Sequence, residues 1–126
     1  MPARRSSPNA FDKAPMTKAP VYRVDIFNVP THARSRFLDR VEETHRVLRT
    51  IPGFIEDHIL ERPGGAGAYT IVTIAKWRDE ETVRNAKAVV SAWHGKTGFS
   101  PQTLMRELGV EAAIGEFRPV EMALPV

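Results

Sequence analysis

The sequence predicts an α+β domain of the ferredoxin-like type, with order β-α-β-β-α-(α)-β on one antiparallel sheet. Three observations carry this reading. Residues 68–77, AYTIVTIAKW, alternate like a strand and are largely apolar on both faces. A Gly-rich turn at Pro63, Gly64, Gly65 and Gly67 joins that run to a preceding strand-like run at 54–61. Trp77 then leads directly into a helical pattern whose first residue, Asp79, is a good N-cap.

The elements follow in order. Residues 1–20 hold four prolines, small polar residues and few large apolar ones, so they are expected to be a disordered basic tail, with residues 21–126 as the single domain. Met16 is an alternative start that would remove most of that tail. Residues 21–29, VYRVDIFNV, read as the first strand, ended by Pro30. Thr31 is the expected N-cap of a helix from about His32 to Arg49. Its apolar side is Phe37, Leu38, Val41 and Leu48, with Arg36, Asp39, Arg40, Glu43 and Arg46 opposite. Pro52-Gly53 stops it. After the hairpin, the second helix buries Val83, Ala86, Val90 and Trp93, with Glu80 and Glu81 suited to its dipole. Gly95 is the expected terminator. Ser100-Pro101 opens a short third helix that Gly109 closes. A last strand is expected within residues 112–120.

Two helices cover only one face of such a sheet. Val72 and Ile74 make the other face apolar, and the simplest cover is a second copy of the same sheet. A homodimer is therefore expected.

Bulk properties exclude several function classes. The chain of 126 residues is long enough for one compact domain. It has no cysteine, hence no disulfide or thiolate chemistry, which fits a cytoplasmic setting. No apolar run is long enough for a membrane span, and the N-terminus lacks a secretory apolar region. The net charge of +3 belongs to the tail: Arg4, Arg5, Lys13 and Lys18 stand there against Asp12. Removing them from 18 basic and 15 acidic residues leaves 14 of each. A domain with no charge excess is not expected to bind nucleic acid.

The runs PGFIEDHILERP, YTIVTIAKW and RDEETVRNA together resemble the antibiotic biosynthesis monooxygenase domain, of the dimeric α+β barrel superfamily. Gly53-Phe54, Trp77 and Asp79 stand where that family places a Gly-Phe, a strand-ending Trp and a helix cap. The likeness extends over roughly residues 21–120 in element order and is concentrated in 52–86. It implies a pocket in each subunit between the sheet and its own helices. It also implies, for the quinone-forming members, oxidation of a flat aromatic phenol or hydroquinone by oxygen without metal or organic cofactor. Other members bind and degrade haem, using an Asn on the first strand, the Trp ending the third and a His on the second helix. Trp77 matches that Trp. The first-strand position falls at Asp25 or Asn28, and the second helix offers no His before His94, which weakens a haem reading.

Among single residues, His45 stands out. It lies on the apolar stripe of the first helix, and a histidine there is either a general base or a core-edge histidine bonded to backbone or water. Trp77 and Tyr69 share a strand face and would line an aromatic pocket, unless both are plain core; Trp93 joins them as a candidate substrate contact. Arg23 and Asp25 alternate on the first strand, either holding a polar substrate group or forming a rim ion pair; Asp25 is the alternative proton acceptor. His58 has Glu56 as a same-face neighbour, a pair that either orients an imidazole or simply faces solvent, since Ile55 and Ile59 make the other face the more buried one. His94 reads as a helix-end cap on the polar stripe with Glu80, Arg84, Lys87 and Ser91. His32 has no evident role. No two histidines stand at i, i+4 on a helix, so no metal site is expected. Gly64 to Gly67 opens no helix, so it is a hairpin rather than a phosphate loop. Three functions stay open: a cofactor-independent oxygenase, a binding or stress-response barrel without turnover, and a haem-degrading variant.

Overall fold

The computed structural model describes residues 19–122; most of the expected tail, Met16 included, lies outside them. Strand β1 (Val21–Pro30) leads through a single 3₁₀ turn (Thr31–Ala33) into helix α1 (Arg34–Leu48). Strands β2 (Phe54–Pro63) and β3 (Ala68–Trp77) form the hairpin. Helices α2 (Glu80–Thr97) and α3 (Pro101–Leu108) follow, and strand β4 (Glu111–Phe117) completes the sheet. The sheet order is β2-β3-β1-β4 with every pairing antiparallel. This is the expected ferredoxin-like α+β arrangement.

Register decides which side chains meet the helices. On β1 and β3 the pairs Val21↔Trp77, Arg23↔Ala75, Asp25↔Thr73, Phe27↔Ile71 and Val29↔Tyr69 share one face. That face carries the buried residues, so it is the one beneath the helices. The pairs Val24↔Ile74, Ile26↔Val72 and Asn28↔Thr70 face the opposite way. Strand β2 carries a bulge at Ile55, between Phe54↔Trp77 and Glu56↔Lys76. One inserted residue reverses the alternation. Phe54, Asp57 and Ile59 therefore turn inward, and Ile55, expected beside Ile59, is exposed.

Two apolar clusters hold the layers together. Phe27, Val29, Phe37, Ile71, Leu108 and Val110 pack at one end. Val21, Ile51, Ala75, Trp77, Val83 and Ala86 pack at the other.

The helix ends show where local chemistry differs from the sequence reading. Thr31 does not cap α1. Its N–H and hydroxyl both donate to the Gly67 carbonyl, at 2.9 and 2.6 Å, tying the helix entry to the hairpin. Asp79 does cap α2: its carboxylate accepts from the Thr82 N–H at 2.9 Å, and the Asp79 N–H donates to the Thr82 hydroxyl at 3.2 Å. Gly95 does not end α2. The helix continues to Thr97, and Gly98 ends it at φ 72°, a left-handed conformation that suits glycine. Helix α3 opens and closes as expected, with the Ser100 hydroxyl accepting from the Thr103 N–H. Among the described residues, no helix is long and apolar enough to cross a membrane.

Candidate active site

A cavity of about 590 Å³ lies between the inner sheet face and the three helices. Its walls draw on both apolar clusters, so it occupies the space between them. Strands β1 and β3 supply the floor, with Asp25, Phe27, Thr73 and Trp77. Helix α1 supplies Val41, Thr44 and His45, and α2 supplies Lys87, Val90 and His94. A mostly apolar hollow of this size with a few converging polar groups is the usual form of a small-molecule site.

His45 lines the cavity and is buried. Its Nδ1 is 2.8 Å from Asp57 Oδ2, and Arg49 Nε donates to the same oxygen at 3.0 Å. Burial works to raise the Asp57 carboxyl, but the hydrogen bonds from His45 and Arg49, with the Arg49 charge, hold it below its ordinary value. A carboxylate at Nδ1 sets the tautomer, leaving Nε2 as the basic nitrogen for a ligand. Sequence reasoning did not single out Asp57, although plain alternation already puts it on the inner face with Ile59.

Trp77 forms part of the floor, buried and edge-on to Phe54 at 5.6 Å. Arg23 and Asp25 both line the cavity, with Arg23 Nε donating to Asp25 Oδ1 at 2.8 Å. Four other candidates lie elsewhere. Tyr69 shares the strand face of Trp77 but stands eight residues away, about 27 Å along a strand; it packs with the far cluster, with Arg34 5.1 Å from its ring centroid. Asn28 is exposed on the opposite sheet face, whereas Asp25 lines the cavity. His58 is exposed on that same outer face, 3.1 Å from Glu56. Trp93 does not line the cavity; its ring packs against His94 at 5.1 Å.

His94 is a cavity residue rather than a simple helix cap. The stripe Lys87, Ser91 and His94, taken from sequence as polar surface, faces the hollow. The His94 Nε2 is buried without a hydrogen-bond partner. Burial, and then the nearby Arg40 charge, lowers its pKa, so the ring is neutral at pH 7. Arg40, expected on the solvent side of α1, also lines the cavity. Among the described residues, no group of three or more His, Asp or Glu side chains is placed to hold a metal ion.

The model of the antibiotic biosynthesis monooxygenase family matches residues 20–88, more than half of the chain. The chain belongs to that family. The matched span runs from β1 into α2, so it contains His45, Asp57 and Trp77 but neither His94 nor α3. Among solved structures, the chain is similar to SnoaB, a cofactor-independent oxygenase from Streptomyces nogalater. Identity is 28%, the TM-score is 0.60, and the match covers 86% of this chain and 99% of that one. Two further likenesses bear on the fold alone. A dimeric ferredoxin-like protein from an uncultured marine organism has 13% identity and a TM-score of 0.60, covering 82% of this chain and 99% of that one. A conserved protein from Methanosarcina mazei Go1 has 17% identity and a TM-score of 0.59, covering 80% and 93%. No curated protein matches the chain. Membership of the family agrees with the resemblance carried by Gly53-Phe54, Trp77 and Asp79.

Proposed function

We propose that the protein is a cofactor-independent monooxygenase that oxidises a flat phenolic or hydroquinone-type aromatic with molecular oxygen. The observation that carries the proposal is His45, bonded to Asp57 behind it, in the wall of a largely apolar cavity with Trp77 in its floor. The likeness to the oxygenase SnoaB supports it. In this reading His45 Nε2 removes the proton of the bound phenol. Asp57 holds the imidazolium that forms, and Asp25 is the second carboxylate on the cavity floor. The electron-rich anion then reduces oxygen and combines with it at a ring carbon. Loss of water leaves a quinone. A phenol with a free para carbon and one O₂ thus give a para-quinone and one H₂O, so no external reductant is required.

The proposal includes a homodimer through the outer sheet face, where Ile26, Leu60 and Phe117 are exposed. It also includes a cytoplasmic setting, supported by the cysteine-free sequence, and no nucleic-acid partner. Haem is left outside the proposal: of the residue set that the resemblance implies, Trp77 and His94 line the cavity but Asn28 faces away from it.

Oxygen uptake by the purified protein over a panel of phenols and hydroquinones tests the proposal. Turnover that His45→Ala removes is the expected result. No uptake with any member of the panel would replace the oxygenase reading with that of a binding barrel. A Soret shift on adding haem would restore the haem reading.

A further inference from the structure

The cavity has a second polar pole, away from His45 and built from α1, the end of α2 and the loop after it. Arg40 is five residues before His45 on α1, about 7.5 Å along the helix axis. Its guanidinium lies 3.6 Å from the Phe99 ring centroid. His94, from the end of α2, packs edge-on against the same ring at 5.2 Å. All three residues line the cavity.

Arg40 Nε and His94 Nε2 are both buried without a hydrogen-bond partner. Buried polar atoms are nearly always satisfied, so two such atoms around one aromatic ring call for an explanation. The charges around the cavity narrow it. Arg23 is paired with Asp25, which also lines the cavity, and Lys87 with the half-buried Glu116. Among the described residues, Arg40 Nη1 pairs with Glu43 at 2.9 Å and its Nε has no hydrogen-bond partner.

We infer that Arg40 and His94 form a seat for a carboxylate carried by the aromatic ligand, one oxygen accepting from Arg40 Nε and the other from the Nε2–H of the neutral His94 ring. This deepens the oxygenase reading and rests on it for the aromatic half of the ligand. The carboxylate half rests on Arg40 and His94 alone. Phe99 holds the guanidinium flat by cation–π contact, so the donor is oriented before the ligand arrives. The ligand class is an aromatic acid, with its acid group at the Arg40 end and its reacting ring between Trp77 and His45.

The test compares 5-hydroxy-2-naphthoate, a phenol whose para ring carbon is free, with its methyl ester, which has the same ring but no charge. Binding is measured without oxygen, through quenching of tryptophan fluorescence. The wild type is expected to bind the acid at least about tenfold more tightly than the ester, the scale of a charge-assisted hydrogen bond. Arg40→Gln and His94→Phe are each expected to bring that ratio towards one while leaving ester affinity unchanged. Arg40→Lys is expected to keep part of it. Because the ratio is taken within each variant, loss of folded protein does not imitate the result. Equal affinities in the wild type, an unchanged ratio in Arg40→Gln, or binding of neither ligand would overturn the inference. If the acid preference holds but neither compound consumes oxygen in air, the oxygenase reading fails and the carboxylate seat stands.

Discussion

His45 Nδ1 and Asp57 Oδ2 meet at 2.8 Å across the junction of α1 and β2, with the imidazole lining the cavity and the half-buried carboxylate behind it. Helix α1 provides the imidazole, and the inner face of β2 provides its partner. If this pair moves the substrate proton, His45→Ala lowers kcat by about 10² to 10⁴, the range for a positioned acid–base group. Asp57→Asn keeps the shape but loses the charge, so it lowers kcat by a smaller factor and leaves KM nearly unchanged. Steady-state oxygen uptake with the best substrate of the panel checks both. A kcat unchanged in His45→Ala would remove the pair from the chemistry.

The same carboxylate governs acid stability. Asp57 titrates below its ordinary value of 3.8 in the folded protein, because the hydrogen bonds from His45 and Arg49 outweigh its desolvation. A carboxyl whose pKa is depressed by folding stabilises the fold above its unfolded pKa, and that stability is lost as pH falls through the folded one. The Tm advantage of the wild type over Asp57→Asn is therefore expected to be full at pH 6 and to shrink below about pH 4. Calorimetric scans between pH 6 and pH 3 follow it. A gap that widens on acidification would contradict the direction of the shift.

Gly53 and the α2 cap form one unit. Gly53 has φ 94°, and a Cβ added there would stand 2.4 Å from the Thr82 Cβ. Thr82 is the residue that closes the capping box with Asp79. The Gly53 carbonyl also accepts from the Arg78 N–H at 2.8 Å. Asp79→Ala is expected to cost about 1 kcal/mol, the usual effect of a lost cap. Gly53→Ala is expected to cost more, about 3 kcal/mol, because backbone strain and overlap with Thr82 add together. Urea unfolding ranks the two variants. The reverse order would mean that the chain relaxes around Gly53 without disturbing the cap.

Much of the fold could be read from side-chain types. The alternation in 68–77 placed Ile71, Thr73, Ala75 and Trp77 on one face, and the sheet register keeps them there. Asp79, Ser100 and Gly109 act where their chemistry puts them. The site was legible only in part. His45 and Asp25 could be placed because they follow regular periods on α1 and β1. Asp57 shares the face of Ile59 by plain alternation, but its meeting with His45 depends on how α1 packs on β2, which residue types do not show. Tyr69 was placed with Trp77 because face alone was considered, whereas a ten-residue strand carries the same face from one cluster to the other. Arg40 and His94 were assigned to solvent because charged and polar residues usually go there. The hollow under the helices is where that rule fails.

Ile26, Leu60 and Phe117 are 46%, 51% and 56% exposed, and Val24, Val72 and Ile74 lie between them on the same face. A contiguous apolar surface on a four-stranded sheet calls for a partner, and a second copy meets it with a two-fold interface. Light scattering of the wild type is expected to give twice the 14.1 kDa chain mass. Ile26 pairs with Val72 on one side and Ala113 on the other, so it stands near the middle of the face. Ile26→Asp places a charge at the centre of that interface and is expected to give a single-chain mass. His45→Ala, on the opposite face, is expected to leave the mass unchanged. A wild type that scatters as one chain at tens of micromolar would show that this face stands bare in solution, and the homodimer would be withdrawn.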